Sequence, residues 1–138
     1  MTDVARLEKL RAIPLFSKLD DDSLGRVAAL VSEVDAPAGR VLVERTHVGS
    51  GMFLLEEGTV AVELPNGSTV RLGPGEFFGE LAILADGITR TARVRSETDV
   101  RCLVVGRPDF GRLLEAEPRI AVAMLPVLAQ RLADVEAV

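Results

Sequence analysis

The chain has 138 residues, of which 48% are hydrophobic and 27% charged, a balance that buries a core and reads as globular and not disordered. A net charge of −5 argues against a nucleic-acid face, which needs clustered Lys and Arg to meet phosphates. With one cysteine, Cys102, and one histidine, His47, the chain can form no internal disulfide, no His-based metal set and no second Ser/His or Cys/His arrangement.

Arg6, Glu8, Lys9 and Arg11 interrupt any apolar run at the start, so no signal peptide is read there. The longest apolar run, Ile120 to Ala129, is too short to span a bilayer and contains Pro126. The expectation is a soluble, cytoplasmic, non-catalytic domain covering residues 1–138.

Residues 3–12 read as a helix with Val4, Leu7 and Leu10 on one face, stopped at Ile13-Pro14 because a residue before proline avoids the helical region. Asp20 is a plausible N-cap for a second helix, and Asp21 and Asp22 suit its positive end. Leu24, Val27, Ala28 and Val31 then recur at helical spacing. The acidic triplet is read as a helix start and not as a metal site, since no second carboxylate cluster lies nearby in the sequence.

From Glu33 to Gly106 the period changes to two. Short β-branched runs are expected as strands at 41–43, 52–55, 59–64, 69–72, 93–95 and 100–105, separated by turns. Pro65-Asn66-Gly67-Ser68 is a hairpin signal. Glycines at 49, 51, 58, 73 and 75 punctuate the rest. No long helix fits between the strands, so βαβ crossovers are excluded and an antiparallel roll of jelly-roll type remains, flanked by helices. Cys102 alternates with Val100 and Val104, which makes it a core thiol. Arg93 and Arg95 alternate on one strand as a solvated face, and His47 reads as a surface residue.

After Gly106 the helical period returns. Pro108 suits a first helical turn, and Phe110, Leu113 and Leu114 supply an apolar face. Glu117-Pro118 breaks the helix and restarts it. Ile120, Met124, Leu128, Leu132 and Val135 form a stripe on the last helix, within which Pro126 is expected to kink or interrupt the chain. This pair of helices does not read DNA: residues 120–129 carry no Arg, Asn or Gln to meet base edges. Because Ile120 to Ala129 is apolar nearly all round, it suits burial or contact with another chain, a second copy or an effector.

The stretch that carries chemistry is Gly73 to Ser96. Gly73, Gly75 and Gly79 allow sharp turns and close approach, and Leu81 to Leu84 are good helix formers, so Gly79-Glu80 sits where a short helix would begin. A helix start offers unpaired N–H groups and a positive dipole end to a phosphate. Arg90, ten residues after Glu80 and past the Asp86-Gly87 turn, can return a guanidinium fork to the same anion. A carboxylate there would repel a phosphate unless it accepts a bond from a hydroxyl of the same ligand. Phosphate and hydroxyl together suggest a nucleotide.

Phe78-Gly79-Glu80-Leu81-Ala82 followed by Arg90-Thr91-Ala92 resembles the phosphate-binding cassette of cyclic nucleotide-binding domains. The resemblance runs from Leu15-Phe16 to the last helices and supports the β-roll, with N-terminal helices at 1–32, the roll at 33–106, the cassette at 78–92 and C-terminal helices at 107–138. It implies that Glu80 holds the ribose 2′-hydroxyl, Arg90 the cyclic phosphate, and the amides near Leu81 and Ala82 the rest of the anion. It further implies that a C-terminal helix closes over the purine, with Arg131 near the ligand, although Val135 replaces a polar residue. Thr91 offers a hydroxyl to a purine edge, and cAMP is expected ahead of cGMP. No cofactor or metal is implied. The alternative is a degenerate roll that serves as an interaction scaffold without nucleotide.

Overall fold

The computed structural model describes residues 3–43, 51–79 and 92–136. The chain divides into two compact units, residues 30–110 and the combination of residues 1–29 with 111–138.

The first of these is the roll, and it holds eight described strands: β1 (Ser32–Ala36), β2 (Val41–Val43), β3 (Gly51–Glu57), β4 (Val60–Glu63), β5 (Thr69–Leu72), β6 (Phe77–Phe78), β7 (Arg93–Ser96) and β8 (Val100–Gly106). They form two four-stranded sheets ordered β1-β8-β3-β6 and β2-β7-β4-β5, and every pairing is antiparallel. The core lies between them: Ala36, Leu55, Phe78, Val100 and Cys102 from one sheet meet Val43, Val60, Leu72 and Val94 from the other. Alternation explains the arrangement on β7, where Val94 and Ser96 are buried and Arg93 and Arg95 lie on the other face. The mainly β, antiparallel jelly roll with flanking helices is therefore the fold.

Two strands have no signal in the sequence. In β1, Ser-Glu-Val-Asp-Ala buries only Ala36, because it is an edge strand whose other positions are exposed. β6 is two residues long and is defined only by its partner, through Phe53 opposite Phe78 and Leu54 opposite Phe77.

The turns are tied by polar groups. In the β4–β5 hairpin, the Ser68 N–H and hydroxyl both reach Asn66 Oδ1, at 2.9 and 2.6 Å. Ser96, 1% exposed, pins the 37–40 turn: its hydroxyl donates to the Pro37 carbonyl at 2.7 Å and accepts from the Arg40 N–H at 2.9 Å. Cys102 is the buried thiol expected, and burial pushes its pKa up to about 11.

The helical unit contains α1 (Asp3–Arg11), a 3-10 turn (Pro14–Phe16), most of α2 (Asp21–Leu30), the later part of α3 (Arg107–Ala116) and α4 (Pro118–Glu136). Burial deepens along α1 toward the 3-10 turn on which it packs, so Val4 is 71% exposed and Leu10 only 2%. Ile13 is extended, at φ −80° and ψ 125°, as the following proline requires. Asp20 is the N-cap of α2, its Oδ1 accepting from the Ser23 N–H at 2.9 Å. That bond, first among the causes, holds the Asp20 carboxyl below its ordinary range.

Of the two outcomes expected at Pro126, a kink or an interruption, the interruption does not occur. α4 runs unbroken through the proline. The missing N–H leaves the Val122 carbonyl without its helical donor. The expected stripe on α4 is buried only at its start: Ile120 and Met124 are buried, Leu128 is half-buried and Leu132 is exposed, while the Val135 side chain lies outside the described atoms.

Candidate ligand site

The described chain enters the cassette along β3 and β6. Leu55 binds the incoming turn on both sides of its peptide, its N–H donating to the Glu76 carbonyl at 2.9 Å and its carbonyl accepting from the Gly75 N–H at 2.7 Å. The Glu76 carboxylate folds back to accept from the Gly73 N–H at 2.7 Å. Phe78 follows, 3% exposed in the inter-sheet core, with its ring stacked on Phe53 at a centroid distance of 5.0 Å and an interplanar angle of 4°.

Gly79 then takes φ +84°, a conformation a side chain would strain. The combination is informative. Phe78 locks the strand in the core, and the next residue turns the backbone out of the strand direction.

The chain returns at Ala92, half-buried, and enters β7 at Arg93. β7 is central in the second sheet, with Val94 opposite Val62 on one side and Val43 on the other. Residues 80–91 therefore join an edge strand of one sheet to a central strand of the other. Glu80, Leu81, Ala82, Arg90 and Thr91 lie outside the described residues, as does His47. The structure thus places Phe78, Gly79 and Ala92 at the two ends of the cassette.

Arg131 is half-buried on α4, at helical spacing from the buried Ile120 and Met124. Arg95 does not stand free on the outer face of β7: its Nη1 donates to the Gly39 carbonyl at 3.2 Å and its Nε lies 3.7 Å from Glu63 Oε1. Phe53 and Ser96 support the two ends of the candidate segment, and sequence reasoning did not single them out. Nothing in the sequence pairs Phe53 with Phe78 before the β3–β6 register is known. Among the described residues, no group of three His, Cys, Asp or Glu side chains could hold a metal ion.

Comparison with known proteins agrees with this geometry. Residues 33–117 match the family described as the cyclic nucleotide-binding domain, and the chain belongs to that family. It is 37% identical over 118 residues to a cyclic nucleotide-gated potassium channel of Mesorhizobium japonicum, covering 86% of this chain and 32% of the channel. It is 36% identical over 110 residues to the cAMP-dependent protein kinase regulatory subunit of Emericella nidulans, covering 76% of this chain and 26% of that protein. A glutaminase 2 of Bradyrhizobium diazoefficiens is 32% identical over 96% of this chain, yet over only 21% of its own length. Among solved structures, the catabolite activator protein of Thermus thermophilus superposes with a TM-score of 0.78 at 26% identity, covering 90% of this chain and 60% of that one. The chain spans about a third or less of each of these curated relatives, at 32, 26 and 21%. No helix of the described residues is long and apolar enough to cross a membrane.

Proposed function

We propose that this chain is a non-catalytic cyclic nucleotide sensor, preferring cAMP to cGMP and acting in the cytoplasm. The observation that carries the reading is the cassette itself: Glu80 and Arg90 fall at the family spacing inside a segment bounded by Phe78-Gly79 and Ala92, in a chain whose residues 33–117 match the family. Glu80 accepts the ribose 2′-hydroxyl, Arg90 binds the cyclic phosphate in a fork, and the amides at Leu81 and Ala82 complete the cradle. Thr91 meets the purine edge, and Arg131 approaches the ligand from α4. The cAMP-dependent kinase regulatory subunit among the relatives favours cAMP.

The signal passes to a second copy or an effector protein through the face of α4 opposite Ile120 and Met124. Val122, Leu125 and Leu132 lie there, 64, 62 and 57% exposed.

Calorimetric titration with cAMP and cGMP, beside Arg90→Ala, tests the reading. Loss of a charge-assisted fork is expected to weaken binding by about 100-fold, and cAMP is expected to bind more tightly than cGMP. If neither nucleotide gives heat or a thermal shift with the wild-type protein, the sensor reading fails and the roll is an interaction scaffold.

A further inference from the structure

Among the described residues of the helical unit, Glu117 is a buried carboxylate that the nucleotide reading does not use. Glu117 is 5% exposed and sits between α3 and α4, next to Pro118. Its backbone belongs to both helices: the N–H donates to the Leu113 carbonyl at 2.8 Å, and the carbonyl accepts from the Ile120 N–H at 3.0 Å. Its side chain is held from α2, where Arg26 Nε donates to Glu117 Oε1 at 2.9 Å and Nη2 lies 2.8 Å from the same oxygen.

Arg26 is itself oriented. Its Nη2 donates to Ser23 Oγ at 3.3 Å, and Ser23, 4% exposed, gives its N–H to the Asp20 cap at 2.9 Å. A second arginine runs the other way, from α4 to the loop before α2, with Arg119 Nη1 donating to the Lys18 carbonyl at 2.9 Å. The break before α4 and the first turn of α4 are therefore tied to the α2 segment twice, once at the middle of α2 and once in the loop before it. The two ties point in opposite directions.

The Arg26 side chain is 55% exposed and that of Glu117 only 6%, so solvent screens the attraction, desolvation of the carboxylate offsets part of it, and the pair adds little net stability. What it supplies is direction. A fork reaching one carboxylate oxygen tolerates little sliding, and breaking it leaves a charge buried at the break between two helices.

We propose that Arg26 and Glu117 are a coupling pair that makes α2 and the first turns of α4 open and move as one body. Any input that displaces α4 is thereby delivered to α2, and a partner touching either helix senses the other. Both residues lie in the helical unit, outside the segment that carries Glu80 and Arg90, so the inference stands apart from the nucleotide reading.

Native-state hydrogen exchange of the whole chain in rising, sub-denaturing urea reads it directly, because amides that open together share one opening free energy and one urea dependence. In the wild type, the amides of residues 24–29 and 121–125 are expected to follow one common opening. Arg26→Ala strands the Glu117 carboxylate and is expected to speed exchange at 121–125 by about 100-fold relative to 24–29, splitting the two sets, with strand amides unchanged. Arg26→Lys keeps the charge without the fork and is expected to split them by roughly 10-fold, which serves if the alanine variant fails to fold. Separate openings in the wild type would overturn the proposal, and so would a common opening that survives both substitutions. A merely stabilising contact would raise exchange at both sets equally. Repeating the wild-type measurement with cAMP separates the two ideas: an unchanged pattern counts against nucleotide binding and leaves the coupling result as it stands.

Discussion

Gly58 is the position where the fold leaves least room for a change. It follows β3 at φ +88°, and a Cβ added there would lie 2.3 Å from the Asp99 carbonyl oxygen, 2.7 Å from Thr98 Oγ1 and 2.8 Å from Val100 Cγ1. The backbone conformation alone costs an L-residue roughly 1–2 kcal/mol. The Asp99 carbonyl is backbone and cannot swing aside. Thr98 Oγ1 accepts from the Thr59 N–H at 3.0 Å and donates to the Asp99 carbonyl at 2.9 Å, so shifting it weakens two hydrogen bonds, each worth about 1 kcal/mol. Gly58→Ala is thus expected to destabilise the protein by roughly 3–5 kcal/mol, a large fraction of a typical domain's stability. The melting temperature should fall by about 10–20 °C, read by calorimetry or circular dichroism. Gly67→Ala separates the contributions: it shares φ +88° but would meet nothing within 4 Å, so only the backbone cost of roughly 1–2 kcal/mol applies. If Gly58→Ala melts no lower than Gly67→Ala, the steric argument at Asp99 is wrong.

Asp20→Ala should lower the melting temperature by a few degrees at neutral pH and Asp20→Asn by less, since asparagine also caps the Ser23 N–H. Because the Asp20 carboxyl is held below its ordinary 3.8, its contribution is complete above that value and disappears as pH falls through the lowered one. Urea unfolding between pH 6 and pH 2 should therefore show a shallower acid limb in Asp20→Asn. On α4, Ile120→Ala should cost roughly 2–5 kcal/mol because Ile120 is fully buried, whereas Leu125→Gln at a 62% exposed position should stay within about 0.5 kcal/mol. Equal losses at both positions in urea would show that the two faces of α4 are misassigned.

The fold was legible where residues repeat with a period. Six strands, the Asn66-Gly67 hairpin, the Asp20 cap and the Glu117-Pro118 break each rest on a local rule of backbone or side-chain chemistry, and each is in place. β1 was not legible, because an edge strand needs one apolar face and Ser32–Ala36 buries only its last residue. An interruption of α4 at Pro126 was expected as one outcome, and the helix continues instead. The rule counts the lost hydrogen bond, but the rest of the helix holds its path through the one missing donor. Nor could the sequence separate the two faces of that helix, since Ile120, Val122 and Leu125 are equally apolar and only packing distinguishes them. At the cassette, the motif was visible from residue types alone. The stack of Phe78 on Phe53 was not, because it depends on a register between β3 and β6 that only the folded roll defines.

That stack bears on how the candidate site works. Residues 80–91 carry the glutamate and the arginine, but where the segment begins and ends is decided outside it. One end leaves an edge strand through Phe78, wedged between the sheets. The other enters a central strand through Val94, buried at 3% exposure, two residues before the buried Ser96 that ties down the 37–40 turn. The distance between the ends is therefore a property of the inter-sheet core. A ligand that must be held by Glu80 and Arg90 together depends on that distance, since a binding group displaced by even an ångström loses much of its contribution. On the proposed reading, packing at Phe53, Phe78 and Val94 would therefore bear on binding as well as on stability. Substitutions there should weaken ligand binding in a titration with cAMP even where the roll stays folded, because Phe78 and Val94 are buried in the inter-sheet core with Phe53 packed against it.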